Sequence, residues 1–185
     1  NIRQNGLKAL NLKDDDELIN VFLTDGQADV IMGTKFGYSV RFAETDVRNM
    51  GRTATGVRGI KLREGDHLVG ATIVSDDQEV LVLSEKGYGK RTPASEYPTK
   101  GRGGKGIITL KVADKNGPLA GLTTVQGNED IMVITDTGVI IRTSIANISQ
   151  TGRSTMGVKV MRLEKEKKIM TFALVDAADQ KDQEE

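Results

Sequence analysis

The sequence predicts an all-β fold, a β-propeller of four-stranded blades, with roughly three and a half to four blades in this chain. Three observations predict it. A glycine- and arginine-bearing stretch recurs at steps of 50 and 51 residues. Each step contains short runs rich in Val, Ile, Leu and Thr, separated by glycine turns. No segment carries the apolar stripe of period 3.6 that a helix needs. Four strands per repeat of about 50 residues is the pattern of a propeller blade.

The recurring stretch is Gly51-Arg52-Thr53-Ala54-Thr55-Gly56-Val57-Arg58-Gly59-Ile60-Lys61-Leu62. It aligns with Gly101-Arg102-Gly103-Gly104-Lys105-Gly106-Ile107-Ile108-Thr109-Leu110 and with Gly152-Arg153-Ser154-Thr155-Met156-Gly157-Val158-Lys159-Val160-Met161. A fainter copy opens the chain at Gly6-Leu7-Lys8. Gly37, Gly87 and Gly138 keep the same period, each followed four residues later by Arg41, Arg91 and Arg142. Leu18, Leu68, Leu119 and Ile169 open the apolar runs in that register.

Within one unit the first strand is expected at 57–62 and the second at 68–74, closed by the acidic turn Ser75-Asp76-Asp77. The third is expected at 79–83. The turn Glu85-Lys86-Gly87 leads to a fourth at 88–92, glycine supplying the positive φ of a tight hairpin. A long loop crosses 93–105, with counterparts at 43–55 and 144–156. The charged run 162–168 reads as a solvated hairpin turn rather than a helix. The units lie near 7–56, 57–106, 107–157 and 158–175, before an acidic tail at 176–185 with no strand pattern, expected to be disordered. Propellers close with four to eight blades, so the chain reads as the C-terminal part of a longer one. The missing initial methionine fits an excised piece.

Composition narrows the function. The 185 residues are 37% hydrophobic and 28% charged, ordinary for a globular protein. There is no cysteine, so no disulfide, thiolate metal site or cysteine nucleophile. A lone His67 excludes a multi-histidine centre and reads as a surface turn residue. No apolar run approaches the roughly 20 residues that span a bilayer, and no signal-peptide pattern opens the chain. The expected location is the cytoplasm, with no membrane partner and no cofactor.

Net charge is zero, 26 basic against 26 acidic residues, but the distribution is uneven. Residues 41–62 hold five basic and two acidic residues, net +3. Residues 86–112 hold seven and one, net +6, and residues 142–168 seven and two, net +5. Acid gathers elsewhere, at 14–17, 76–79 and in the tail. Repeated around a ring, the basic stretches form a positive band suited to a polyanion longer than one blade. Duplex DNA fits, because neutralised phosphates release counterions without base reading. The candidate contacts are Arg41, Arg52, Arg58, Lys90, Arg91, Lys100, Arg102, Lys105, Arg142, Arg153 and Lys159. The competing reading is that arginines at strand ends only keep edges soluble.

Other motifs fail on context. Residues 101–106 satisfy G-x-G-x-x-G but open a β run rather than a helix, so no dinucleotide site follows. Gly87-Tyr88-Gly89-Lys90-Arg91-Thr92 resembles a P-loop tail with Arg91 in place of Ser or Thr. Asp14-Asp15-Asp16-Glu17 lacks the spacing of a calcium loop. Tyr38 and Tyr88 alternate with basic residues, and blade packing explains them better than base stacking. No triad, carboxylate pair or activated nucleophile emerges, and the chain reads as non-catalytic.

The repeats resemble those of the C-terminal domain of the bacterial DNA gyrase A subunit. Arg102-Gly103-Gly104-Lys105-Gly106 is similar to the last five positions of that family's box, Q-R-R-G-G-(R/K)-G. Lys100 and Gly101 stand where the box has Gln and Arg, making this a degenerate copy. The resemblance implies a pinwheel-like propeller that bends DNA around a basic rim and supports ATP-dependent negative supercoiling by a type II topoisomerase. The partners it implies are duplex DNA, the remainder of the A subunit, plus the gyrase B subunit in an A2B2 holoenzyme. The location it implies is bacterial and nucleoid-associated. The equivalent domain of topoisomerase IV is the alternative within the family, and a protein-binding propeller scaffold the alternative outside it. The family's catalytic tyrosine belongs to the N-terminal half of the subunit, so Tyr38, Tyr88 and Tyr97 carry no such role.

Overall fold

A computed structural model describes residues 6–13, 15–164 and 166–177. Its strands are β1 (Asp29–Thr34), β2 (Tyr38–Ala43), β3 (Leu68–Val74), β4 (Glu79–Ser84), β5 (Tyr88–Pro93), β6 (Ile107–Ile108), β7 (Leu119–Val125), β8 (Asp130–Thr135), β9 (Ile140–Ser144), β10 (Val158–Lys159) and β11 (Ile169–Val175). A single 3-10 turn follows each of β2, β5 and β9. The strands form three antiparallel sheets in the orders β3-β1-β2-β6, β10-β5-β4-β7 and β11-β8-β9. These are the blades that the repeat predicts, and the fold is all-β.

The blades do not follow the units as read along the chain. The expected strand at 57–62 is not formed among the described residues. Its counterparts β6 and β10 are only two residues long, and each pairs with the middle strand of an earlier hairpin: Tyr38↔Ile108 and Val158↔Gly89. A first blade therefore takes strands from the units near 7–56, 57–106 and 107–157. Residues 57–62 have no such middle strand beside them among the described residues, so their backbone lacks a ladder to join. They still contribute Ile60 to a buried cluster with Val30, Val40 and Phe42.

The second glycine of the repeated stretch is required by this pairing. Gly106 and Gly157 have φ of +73° and +72°, and a Cβ there would stand 2.6 Å from Ser39 O and 2.7 Å from Gly89 O. Only glycine enters the outer strand in that conformation so close to the middle strand.

Alternation along β4 shows how the blades stack. Successive side chains of a strand point to opposite faces. Val80 and Val82 join Ile31, Val74, Leu110, Leu119 and Leu122 in a core between the first two sheets. Leu81 and Leu83 join Val125, Ile131, Val133, Ile145, Ile148 and Ile169 in a core between the second and third. The central sheet is covered on both faces, which is why β4 reads Val-Leu-Val-Leu without polar alternation. Full burial of each such side chain contributes about 1.5–3 kcal/mol, so the inter-blade cores hold the stack together. The other face of the third sheet is open: Ile140 and Met170 are exposed.

β3, β7 and β11 form the inner edges of the three blades, and Thr124 Oγ1 donates to Ile73 O between the first two. The run opening at Leu18 has the register of these strands but forms no ladder. It lies beside β3, with Asn20 Nδ2 donating to Ala71 O, and leaves Leu18, Ile19, Val21 and Leu23 exposed. Residues 162–168 form a turn but not the expected hairpin, because β10 pairs with β5 and β11 with β8 in different sheets; residue 165, residues 178–185 of the acidic tail and Asp14 lie outside the described residues.

Candidate nucleic-acid interface

The basic residues of each unit divide into two sets by their surroundings. The first is paired with acids of its own blade. Arg41 Nε donates to Asp29 Oδ2 at 2.8 Å, Arg91 Nη1 to Glu79 Oε2 at 2.7 Å, and Arg142 Nε to Asp130 Oδ2 at 2.8 Å. The acid lies twelve residues before the arginine in all three blades. Arg41 Nη1 also reaches Asp76 Oδ1 at 2.6 Å and the carbonyls of Ala94 and Tyr97. Arg91 Nε donates to Ile148 O at 2.8 Å, one repeat after Tyr97. Arg41 and Arg91 fasten their blades to the loop of the next, and the fan of donors on a planar guanidinium suits that task. Arg41 is only 7% exposed. The charges expected to face DNA at Arg41, Arg91 and Arg142 are thus matched within the blades.

Lys90 is internal. Its Nζ donates to the carbonyls of Gly152, Arg153 and Thr155 and to Thr155 Oγ1. Burial lowers its pKa to about 8; nearby Glu96 opposes the shift and Arg153 adds to it. Three of the eleven predicted contacts, Arg41, Lys90 and Arg91, therefore sit inside the fold, while Arg142 is exposed but paired with Asp130.

The second set lies on the outer loops. Arg52, Arg58, Lys100, Arg102, Lys105 and Lys159 are exposed and Arg153 is half-buried. Arg102 Nε donates to Asp46 O and its Nη1 to Arg58 O. Arg153 Nη1 donates to Ile108 O, one repeat further on. Arg102 and Arg153 of the repeated Gly-Arg pair thus brace their loops against the preceding one with part of a five-donor guanidinium. Gly103 N donates to Gly59 O and Lys61 N to Gly104 O, closing the two loops on each other. Between them runs an open groove of about 870 Å³ edged by Lys13, Arg58, Lys61 and Arg102, with Asp16 on its rim.

Lys61, Lys111 and Arg162 fall outside the predicted set. All three are exposed and keep the steps of 50 and 51 residues. The signal that finds them is the periodicity that found the others. Tyr38 and Tyr88 are half-buried, and cations cover their rings: Arg63 lies 3.2 Å from the Tyr38 centroid, and Lys115 and Lys159 lie 5.8 and 5.9 Å from that of Tyr88. Such stacking adds positive charge beside the outer strands. Tyr97 is buried, its hydroxyl 2.7 Å from Thr109 Oγ1, and burial pushes its pKa up to about 12. His67 is exposed. Among the described residues no group of three or more His, Asp or Glu is placed to hold a metal ion, and no helix is long and apolar enough to cross a membrane.

Comparison with known proteins agrees with the fold. The family model described as DNA gyrase C-terminal domain, beta-propeller, matches residues 1–25, 28–75, 78–126 and 129–176. Three of its segments run from one hairpin to the next inner strand: 28–75 spans β1 to β3, 78–126 spans β4 to β7 and 129–176 spans β8 to β11. The chain is 72% identical over 182 residues to the DNA gyrase A subunit of Streptococcus pneumoniae serotype 4, covering 98% of this chain and 22% of that protein. It is 75% identical over 179 residues to the same subunit from Streptococcus pyogenes serotype M3, with 97% and 22% covered. The chain thus spans about a fifth of the length of these relatives. Among solved structures, a DNA gyrase A C-terminal domain superposes with a TM-score of 0.82 at 28% identity, covering 92% of this chain and 58% of that one. The C-terminal domain of a DNA topoisomerase IV gives 0.86 at 28% identity, covering 91% and 53%.

Proposed function

This chain belongs to the DNA gyrase C-terminal domain, beta-propeller family, and from that premise we propose that it binds duplex DNA along the outer loops of its blades and bends it. The observation that carries the reading is the registered set of solvent-facing cations on those loops: Arg52 and Arg58, Lys100, Arg102 and Lys105, then half-buried Arg153 and exposed Lys159. They recur at the blade spacing, so one flexible polyanion can touch each blade in turn. Phosphate contacts of this kind give affinity and position without reading bases. The contacts are narrower than the eleven residues expected from sequence, because Arg41, Lys90 and Arg91 sit inside the fold and Arg142 is paired with Asp130.

The chain supplies no chemistry of its own in this reading. It acts as a non-catalytic wrapping element of an ATP-hydrolysing type II topoisomerase in the bacterial cytoplasm, beside the nucleoid. Its partners there are the B subunit plus the rest of the A subunit. Identities of 72–75% to gyrase A subunits favour negative supercoiling over the topoisomerase IV alternative. The outer-loop set offers seven cations, and engagement of about six phosphates gives a slope of log K against log salt near −5. Electrophoretic titration of duplexes of unrelated sequence against salt tests this. A flat response, or binding confined to one sequence, overturns it.

A further inference from the structure

The buried ammonium of Lys90 has no counterpart in the sister blades. The same position is Val40 one repeat earlier and Ile141 one repeat later. Around Lys90 Nζ, the loop carrying Arg153 folds three carbonyls and one hydroxyl inward: Gly152 O at 2.7 Å, Arg153 O, Thr155 O at 3.3 Å and Thr155 Oγ1 at 3.1 Å. The loop accepts further fixed donors, with Lys111 N on Thr155 O. Glu96 Oε2 accepts from Arg153 N at 2.9 Å.

One repeat earlier the matching space is a pocket of about 200 Å³, lined by Val40, Lys100, Gly101, Gly104 and Lys105 among others. Lys61 N donates to Gly104 O there just as Lys111 N donates to Thr155 O, so the two loops share a backbone frame. One frame is plugged by an ammonium and the other is left open beneath a glycine-rich loop.

We propose that Lys90 is a positioning residue for DNA binding: its ammonium holds the 152–155 loop in the conformation that presents Arg153 to a backbone phosphate. The proposal rests on the DNA-binding reading above and adds that the blades are unequal. The loop of Arg153 is the preorganised contact, and the loop of Arg102 and Lys105 is the adaptable one. Preorganisation matters because ordering a loop during binding costs affinity. Among charged groups, Glu96 and Arg153 face the ammonium, and Glu96 anchors the same loop through the Arg153 amide. Lys90 itself is covered and makes no contact with DNA.

The test uses the whole chain with Lys90→Met, which keeps the length of the side chain and removes its donors. Amide exchange at 151–155 should quicken while that at 101–106 stays unchanged. Duplex affinity should fall about five- to tenfold at 0.1 M salt, and the salt slope should become shallower by about 0.9, the share of one phosphate. In an Arg153→Ala background the same change should cost almost nothing, because the two act through one contact. The chain has no cysteine, so Lys90→Cys alkylated with 2-bromoethylamine in denaturant and refolded restores an ammonium at this position alone and should recover both exchange and affinity. If Lys90→Met does not fold, Thr155→Val removes one acceptor from the exposed loop and should lower affinity in the same direction. An unaltered chain that binds DNA, with a variant that matches its affinity and slope, overturns the positioning role. Unchanged exchange at 151–155 overturns the clasp. A chain that fails to shift duplex at low salt overturns the DNA reading and the proposal together.

Discussion

Replacing Arg41 by Met separates the two sets of cations. Methionine keeps an apolar stem beside β2 and removes the guanidinium, which pairs with Asp29 and Asp76 and donates to Ala94 O and Tyr97 O. Removing one partner of a buried ion pair costs about 3–5 kcal/mol, because the remaining charge is stranded. Here the lower end applies. The Asp29 side chain keeps 18% exposure and a hydrogen bond from Thr99 Oγ1, and Asp76 is 75% exposed and returns to solvent. The expected loss is therefore about 3 kcal/mol, or a fall of roughly 6–12 °C in Tm at 2–4 °C per kcal/mol for a chain of this size. Urea titration and calorimetry measure it. Below the unfolding transition the salt slope of DNA binding should stay the same, since no phosphate contact is lost. A variant that keeps its stability but loses a slope unit of about 0.9 would place Arg41 on the DNA and refute the division.

Gly106→Ala should cost at least about 1–2 kcal/mol from the left-handed backbone alone, and more from the approach to Ser39 O; loss of protection at the Ile107 and Ile108 amides would report it. Asp66→Asn should stabilise by about 1–3 kcal/mol, the range for satisfying a buried polar group. Asp66 Oδ2 is buried without a hydrogen-bond partner, whereas Asn116, one repeat on, donates to Lys111 O and Met156 O; a lower urea midpoint would contradict this. Lys90 should also mark the pH profile of stability. Its folded pKa of about 8 lies below the unfolded value of about 10.4. The folded state then holds fewer protons, so stability rises from about pH 8 to about 10.4, and Lys90→Met should lack that rise.

The period of the repeat carried much of the fold into view. The inner strand at 68–74 and the hairpin around Gly87 stand where the pattern of apolar runs and turn glycines places them. What stayed hidden was which strands share a sheet. A two-residue strand such as β6 carries too few side chains to announce its partner, and it crosses to a hairpin that ends more than sixty residues earlier. The interface was legible to the same extent. A residue repeated for the fold and one repeated for binding show the same spacing, so Arg41, Arg91 and Arg142 were indistinguishable from Arg52 or Arg102 by period alone. The distinguishing mark was also periodic: Asp29, Glu79 and Asp130 recur twelve residues before those arginines. Lys90 breaks the period and was visible only as one more charge. Its role depends on carbonyls more than sixty residues away.

The central claim is that duplex DNA follows the outer loops from blade to blade and is bent by them. Ligating nicked circular DNA in the presence of the chain, then removing the protein and resolving the topoisomers, tests it most directly. The account predicts a shift in mean linking number that grows with protein bound per circle, shrinks as salt rises, and is reduced by joint replacement of Arg102, Lys105 and Arg153 with Ala. A topoisomer distribution identical to that of naked circles, at concentrations that saturate the electrophoretic shift, would contradict it.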